Sequence, residues 1–212
     1  MTVNIGLIDY GMGNLHSVKQ SFKRLGKSLE IIKRPQDMES CNALILPGVG
    51  AFDPAIQNLR KTNLIPHIKK WADEKRPLLG ICLGLQLMFE SSHEGKLNGL
   101  GLLKGNVAYL PKDQGERIPH MGWALLNKQK NCPLIDKNKN SFWMYFVHSY
   151  AANPLRNDLA ATVNFGEQQI TAIVWKERIG ACQFHPEKSG KAGQELLSNW
   201  LKWLNEGAEE IS

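Results

Sequence analysis

The sequence lacks the features that mark membrane proteins and exported proteins. Its apolar runs fall well short of the roughly 20 consecutive residues with which a helix spans a bilayer. The chain passes from Met1 directly into an apolar segment, without a basic leader and a small-residue cleavage site. We therefore expect a soluble protein that works in the cytoplasm.

Cysteine is also scarce, with four residues in 212 and no paired spacing. The sequence has neither a C-x-x-C motif nor clustered histidines, which argues against a disulfide framework and a structural zinc site. We expect no metal and no cofactor. Cys41, Cys132 and Cys182 are interpreted as small buried hydrophobic residues in a reducing compartment.

The formal net charge of +6 is not concentrated in one strongly basic segment. Lysines and arginines form loose groups at residues 19–34 and 69–76, without the interleaved aromatics of a surface that binds single-stranded nucleic acid. We interpret them as solvated helix faces, with a basic docking face for another protein as the alternative. Internal repeats and linkers are missing as well, so residues 1–212 are predicted to form a single domain.

Hydrophobic periodicity divides the chain into two halves. The first half alternates short buried strands with amphipathic helices, a pattern typical of parallel sheets, and the second half has short alternating segments and a closing helix. The predicted strands are residues 3–9, 29–33, 43–47, 77–81, 106–110, 118–126, 142–150, 159–165, 170–175 and 180–184, and the predicted helices include residues 64–74 and 190–205. The expected fold class is α/β, with a mixed, mostly parallel central sheet flanked by helices and an antiparallel extension.

A glycine-flanked cysteine lies where the apolar run at residues 77–81 gives way to a helical pattern. A tight strand-to-helix turn exposes its central side chain in strained dihedrals, and Gly80 and Gly84 leave room for the neighbouring backbone. The first amides of the helix and the positive end of its dipole favour the thiolate form of Cys82. Cys82 is therefore the candidate nucleophile.

Two glycine-containing loops follow predicted strands. Residues 10–14 contain Gly11 and Gly13 but lack the third glycine of a dinucleotide-binding fingerprint, so we do not expect a Rossmann cofactor site. Residues 47–50 read Pro-Gly-Val-Gly and expose backbone amides. At the carboxyl edge of a doubly wound sheet this loop can lie beside Cys82 and supply an N–H group to an oxyanion; an ordinary glycine turn is the alternative.

A candidate base and its partner carboxylate occur late in the chain, at His185 and Glu187. If the backbone is extended there, residues i and i+2 point to the same side, so the two side chains meet. Glu187 would then fix one imidazole nitrogen and leave the other free for a thiol, as a Cys-His-Glu triad requires. With Cys82 and the glycine loop, this pair indicates nucleophilic catalysis.

These segments carry a resemblance to a known family. Residues 47–50, 80–86 and 184–187 resemble the corresponding segments of the class I (triad) glutamine amidotransferases, in the same order and over the whole length. Residues 9–15, 119–123 and 187–190 further resemble the glutaminase subunits of imidazole glycerol phosphate synthases. The resemblance implies hydrolysis of glutamine to glutamate and ammonia. It also implies delivery of the ammonia to a (β/α)8 synthase (cyclase) subunit in a heterodimer, for histidine biosynthesis.

The resemblance also implies roles for the matching residues. Cys82 would attack the glutamine carboxamide, His185 would move the protons, and Glu187 would hold His185. The implied oxyanion donors are amides of Leu83 and of the glycine loop at Val49 and Gly50. The implied substrate-binding residues are Gln86, His148 and Ser149; for His148 simple packing is the alternative.

A partner is implied because ammonia is protonated in water at neutral pH and is then no longer a nucleophile. The candidate docking segment, in which exposed Met and Trp side chains would be interface anchors, consists of Pro119, His120, Met121, Gly122 and Trp123. A core position for Trp123 is the alternative. Ala124 stands where the family usually has asparagine.

Three other functions fit the same residues. A stand-alone cysteine hydrolase of γ-glutamyl or peptide substrates would use the same elbow. An interaction subunit would keep a vestigial site. A paralogue that feeds a sugar-amidating synthase for surface polysaccharide would share the triad and differ in its partner.

Overall fold

The computed structural model describes residues 3–112, 116–136 and 142–210, and its helices follow the amphipathic segments of the sequence. The helices are α1 (Leu15–Arg24), α2 (Phe52–Lys61), α3 (Ile65–Asp73), α4 (Leu83–Leu87) and α5 (Gly190–Asn205), with 3-10 turns at Pro35–Met38, Arg156–Asp158 and Pro186–Lys188. The predicted helices at residues 64–74 and 190–205 are thus confirmed. In the described part of the chain, no helix combines the length and apolar character needed to cross a membrane.

The strands also lie close to the predicted segments. They are β1 (Ile5–Ile8), β2 (Leu29–Ile32), β3 (Ala43–Leu46), β4 (Leu78–Ile81), β5 (Ser91–Ser92), β6 (Gly105–Tyr109), β7 (His120–Leu125), β8 (Asn127–Lys128), β9 (Trp143–His148), β10 (Tyr150–Pro154), β11 (Leu159–Phe165), β12 (Gln168–Lys176) and β13 (Ile179–Cys182). The short strands β5 and β8 were not predicted, because two residues are too few to show an alternating pattern.

The central sheet has the order β2-β1-β3-β4-β13-β12-β11-β8 within the described residues. The first five strands of that order pair in parallel, and β13, β12, β11 and β8 pair antiparallel. This confirms the expected mixed sheet with an antiparallel extension. It also places β13, from the end of the chain, next to β4, which leads into Cys82.

Some of the strands in the second half of the chain pair outside the central sheet. Residues 106–110, 118–126 and 142–150 do not join the central sheet: β6 pairs with β10 and β5, and β7 pairs with β9 in a separate ribbon. Residues 142–150 form two strands instead of one, because the chain leaves the ribbon at Ser149 and continues as β10 beside β6. The alternating pattern predicts extended backbone but does not identify its partner strand.

Strands β1, β3, β4 and β13 are buried on both faces and divide the core into two clusters. Ile45 of β3 belongs to the cluster that contains Trp200 of α5, whereas its neighbour Leu44 belongs to the cluster that contains Trp71 of α3. Successive side chains of a strand point to opposite faces, so one four-residue strand serves both clusters. Helices therefore cover both sides of the sheet, and the carboxyl ends of the strands stay open at one edge.

Gly84, at the start of α4, lies against the end of β3. A Cβ atom there would come within 1.9 Å of the Leu46 carbonyl oxygen, so only glycine fits without moving backbone. A Cβ on Gly80 would meet the Ala181 Cβ at 3.0 Å and the Met88 side chain. The expected close backbone approach is confirmed at Gly84, whereas the neighbours of Gly80 are side chains.

We predict that Gly84→Ala lowers the free energy of unfolding by about 1–3 kcal/mol or more, because the contact is with backbone that cannot rotate away. Gly13→Ala is the matched control, since its nearest contact is the Pro47 side chain at 3.3 Å. Urea denaturation of both variants gives the comparison. Equal stability of the two variants would contradict the packing argument.

Candidate active site

Cys82 occupies the turn between β4 and α4 with φ 55° and ψ −112°, a conformation that residues other than glycine rarely adopt. Its amide donates to the Cys182 carbonyl at 2.8 Å, and its carbonyl accepts from the amides of Leu85 and Gln86. These bonds hold the strained backbone in place. The predicted nucleophile elbow is therefore present.

His185 and Glu187 are in contact, but not for the reason expected from the sequence. His185 Nδ1 lies 2.7 Å from Glu187 Oε1, and both side chains are 2% exposed. His185 itself has extended dihedrals, but β13 ends at Cys182 and Pro186–Lys188 forms a 3-10 turn, so His185 and Glu187 are not alternate residues of one strand. That turn brings Glu187 back beside His185. Because a carboxylate only accepts, Nδ1 of His185 carries a hydrogen and donates it to Glu187.

Cys82 is the other neighbour of His185 that affects its ionisation, and the two residues line the same pocket. Burial by itself would lower the pKa of His185. The hydrogen bonds and charges of Cys82 and Glu187 outweigh that effect and raise the pKa to about 10. The second oxygen of Glu187, Oε2, is buried without a hydrogen-bond partner among the described residues. A carboxylate so poorly solvated depends strongly on the adjacent imidazole.

A pocket of about 420 Å³ opens over Cys82. Predicted site residues that line it are Cys82, His185, Leu83, Val49, Gly50, Gln86, His148 and Ser149. Glu187 lies behind His185 and does not line the pocket. Apart from the docking segment, the residues singled out from the sequence therefore meet at one place.

The glycine loop at residues 47–50 rests on Tyr10 and on the elbow. The Tyr10 hydroxyl donates to the Pro47 carbonyl at 2.8 Å, and a Cβ on Gly48 would approach that hydroxyl to 2.6 Å and the Leu83 Cβ to 2.9 Å. Burial raises the pKa of Tyr10, so it remains a neutral donor. This supporting role of Tyr10 was not predicted, because nothing in its local sequence indicates contact with a loop 37 residues away.

The described residues offer no protein acceptor to the amides of Leu83, Val49 and Gly50. Val49 and Gly50 line the pocket together with Leu83, which begins α4. Amides at the first turn of a helix have no partner inside the helix and are therefore free to bind an external anion.

Two glutamine side chains lie under the pocket, and the sequence analysis identified only one of them. Gln86 Nε2 donates to the Tyr150 carbonyl and to Gln183 Oε1, both at 3.1 Å. Gln183 Nε2 in turn lies 3.9 Å from the Cys82 sulfur. Gln183 directly follows β13, and its position beside the sulfur depends on the pairing of that strand with β4.

His148 is buried and lines the pocket, so it is more than a packing residue. Its Nδ1 donates to the Tyr150 carbonyl at 2.8 Å, and its Nε2 lies 3.1 Å from His120 Nδ1. Burial lowers the pKa of His148 to about 4, despite the opposing effect of the Tyr150 carbonyl. His148 is thus neutral near pH 7, and its Nε2 accepts a hydrogen bond from His120.

Two charged residues of the pocket were not identified from the sequence. Glu94 Oε2 accepts a hydrogen bond from the Phe52 amide at 3.0 Å, at the start of α2, and burial raises the pKa of this carboxyl. Lys188 lines the same pocket from the turn that carries Glu187. A single glutamate in a polar loop gives no spacing signal, so only the tertiary structure identifies it.

The candidate docking segment, Pro119, His120, Met121, Gly122 and Trp123, falls mostly on β7. Met121 is 62% exposed and Trp123 52% exposed, so a core position for Trp123 is excluded. Cross-strand pairs between β7 and β9 place six apolar side chains on one side of the ribbon, here called the apolar face: Met121, Val147, Trp123, Tyr145, Leu125 and Trp143. His120 points the other way and stacks on Phe146.

The chain matches the family model described as "Glutamine amidotransferase class-I" over residues 6–203. It is 66% identical over 212 residues to "Imidazole glycerol phosphate synthase subunit HisH" of Prochlorococcus marinus (strain MIT 9211), with 100% of both chains covered. A protein of the same name from Synechococcus sp. (strain CC9605) is 60% identical over 210 residues, covering 99% of each chain.

Solved structures show the same fold at low identity. "Crystal structure of glutamine amidotransferase" superimposes with a TM-score of 0.74 at 20% identity, covering 95% of this chain and 98% of that chain. "Structure of PurLQS from Thermotoga maritima" gives a TM-score of 0.70 at 17% identity, covering 96% and 100%. These likenesses support the α/β architecture described above.

We predict that Cys82→Ala moves the titration of the His185 imidazole to lower pH, because it removes a hydrogen bond and a charge that raise this pKa. Glu187→Gln should act in the same direction. The measurement is an NMR titration of the histidine ring nitrogens. Cys132→Ala, in the hydrophobic core, is the matched control and should leave the titration in place. An unchanged His185 titration in Cys82→Ala would disprove the coupling.

Proposed function

This chain belongs to the class-I glutamine amidotransferase family, and from that premise we propose that it is the glutaminase subunit of an imidazole glycerol phosphate synthase in histidine biosynthesis. The observation that carries the proposal is that Cys82 and His185 line one pocket, with Glu187 hydrogen-bonded to His185 behind it. The full-length identity to proteins named as subunits of that synthase supports the choice of partner.

The proposed reaction proceeds through a covalent intermediate. His185 takes the thiol proton of Cys82 as the sulfur attacks the carboxamide carbon of glutamine, and it passes that proton to the departing nitrogen, which leaves as ammonia. His185 then takes a proton from water, which attacks the γ-glutamyl thioester and releases glutamate and the thiol. Glu187 keeps the His185 ring oriented through Nδ1, so the other nitrogen faces the sulfur.

The tetrahedral intermediates carry a negative oxygen. We assign its stabilisation to the amide of Leu83 and to an amide of the loop at Val49 and Gly50. Support comes from the location of all three at the pocket and from their lack of a protein acceptor among the described residues. Preorganised donors of this kind typically contribute about 10²–10³ in kcat each.

The charges at the pocket suit free glutamine, which carries an ammonium and a carboxylate. Glu94 is the proposed counter-charge for the ammonium and Lys188 for the carboxylate, because both line the pocket and have opposite signs. Gln86, His148 and Ser149 line the same pocket and are the proposed polar contacts. The neutral His148 can approach substrate without adding a net charge.

We further propose that the apolar face docks the synthase (cyclase) subunit, a (β/α)8 protein, to form a heterodimer with lyase activity that yields imidazole glycerol phosphate and AICAR. The residues that support this are exposed aromatic and Met side chains, which are typical interface anchors. Val147 belongs to the apolar face and also lines the pocket, so the docked partner would lie close to the site of ammonia release. Residues 1–212 would act as one cytoplasmic glutaminase domain.

The other candidates explain fewer observations. A stand-alone hydrolase does not account for the apolar face, and a vestigial subunit does not account for the Cys82–His185–Glu187 contacts. The sugar-amidating paralogue shares all of these features. The names of the full-length relatives favour the imidazole glycerol phosphate synthase over it.

We predict that Cys82→Ala lowers ammonia release by about 10³-fold or more in the presence of the synthase subunit, because no other residue forms the thioester. Its far-UV spectrum and its affinity for the synthase should be those of the parent. Cys132→Ala is the control and should retain activity. Glutaminase activity near the parent level in Cys82→Ala would refute the proposed reaction.

We predict that Trp123→Ala weakens binding of the (β/α)8 synthase subunit by about 10–100-fold, since a buried aromatic anchor typically contributes 1–3 kcal/mol. Leu155→Ala is the matched control, because Leu155 is equally exposed, at 55%, but lies outside the apolar face. Titration calorimetry with the purified synthase measures both affinities. Equal losses in the two variants would argue against this surface.

A further inference from the structure

Gln183 is fully buried, and its side chain touches both the candidate nucleophile and a substrate-pocket residue. It is 0% exposed, and it lies 3.9 Å from the Cys82 sulfur on one side and 3.1 Å from Gln86 Nε2 on the other. A buried amide normally satisfies both its oxygen and its nitrogen. These two contacts are therefore the ones that determine how the side chain is oriented.

The orientation of both amides follows from the Tyr150 carbonyl. A carbonyl only accepts, so Gln86 must present Nε2 to it, at 3.1 Å. The same nitrogen then donates to Gln183, which must present Oε1. The remaining Gln183 group, the NH2, consequently faces the Cys82 sulfur. Only one of the two possible orientations of each amide satisfies this chain of hydrogen bonds.

The backbone holds Gln183 in this position. Its amide donates to the Ala172 carbonyl of β12 at 2.9 Å, and the preceding Cys182 carbonyl accepts from the Cys82 amide at 2.8 Å. Cys82 is thus tied to residues 182 and 183 through its main chain and its side chain.

We propose that Gln183 is a positioning residue with two effects: it donates a hydrogen bond to the Cys82 sulfur, and it turns Gln86 so that Oε1 faces the substrate. The inference rests on the proposed function. The first effect stabilises a negatively charged sulfur, because hydrogen bonds to an ionised partner are stronger than neutral ones. The second presents an acceptor to the ammonium of glutamine, since Gln86 Nε2 is already committed to Tyr150 and Gln183.

The test replaces the amide by a side chain of similar volume. Gln183→Met removes both polar groups, and Gln183→Glu keeps the shape but replaces the donor by an acceptor. The readout is the rate at which iodoacetamide alkylates Cys82 from pH 5 to 10, followed by mass spectrometry of the peptide that contains Cys82. Gln168→Met, at an exposed position that begins β12, is the matched control.

We expect alkylation at pH 7 to fall by about tenfold in Gln183→Met and by more in Gln183→Glu, because a lost charge-assisted hydrogen bond shifts the thiol–thiolate balance by that order. The difference between the variants should shrink as the pH rises, because the hydrogen bond acts on the balance between thiol and thiolate. A purely structural role would instead change stability and leave this profile unchanged. If Gln183→Met does not fold, the isosteric Gln183→Glu decides the question.

An alkylation profile identical to the parent's in the folded variants would overturn the inference. Alkylation does not require glutamine turnover, so this outcome is distinct from failure of the proposed function. That failure would appear as a parent protein that releases no ammonia with the synthase present. If the parent protein shows no glutaminase activity but Gln183→Met still shifts the alkylation profile, the contact between Gln183 and the sulfur is supported and the proposed reaction is rejected.

Discussion

The parallel pairing of β4 with β13 is the constraint on which the candidate active site depends. The pairing continues one residue past the end of β4, through the hydrogen bond from the Cys82 amide to the Cys182 carbonyl of β13. Cys82 comes from the first half of the chain and His185 from the end, and only this pairing makes them neighbours. The same contact helps to hold Cys82 at φ 55°, a conformation that the isolated segment would rarely occupy.

Burial gives the site its electrostatic character. The His185 and Glu187 side chains are withdrawn from water, so their mutual contact and the Cys82 sulfur replace solvation. Burial alone would lower the pKa of the imidazole, and the two partners reverse that effect. His148, equally buried but without an anionic partner, shows the opposite outcome and stays neutral. The difference between the two histidines lies in their neighbours rather than in their depth.

Strand β9 connects the apolar face to His185, the candidate base. The Tyr145 carbonyl accepts the His185 amide at 3.1 Å, and the Tyr145 amide donates to the Ser189 hydroxyl, which donates to the His185 carbonyl. The Tyr145 side chain lies on the apolar face opposite Trp123. A protein that docks on this face would therefore contact the strand that is hydrogen-bonded to the His185 backbone. The proposed synthase subunit would then be one strand away from the site.

The sequence by itself determined the local features: the strand and helix segments, the glycine-flanked Cys82, and the His185–Glu187 pair. These follow from periodicity and from residue chemistry at short spacing, which are local properties. It could not determine that β13 pairs with β4, that residues 142–150 divide between two sheets, or that Trp123 is exposed. Strand partners and burial depend on contacts between distant segments, and the same alternating pattern is compatible with several of them. Tertiary structure alone decided that Glu94 lines the pocket and that Gln183 lies beneath it against the Cys82 sulfur, because both positions are fixed by elements far away in the chain. It also decided that Glu187 reaches His185 through a 3-10 turn.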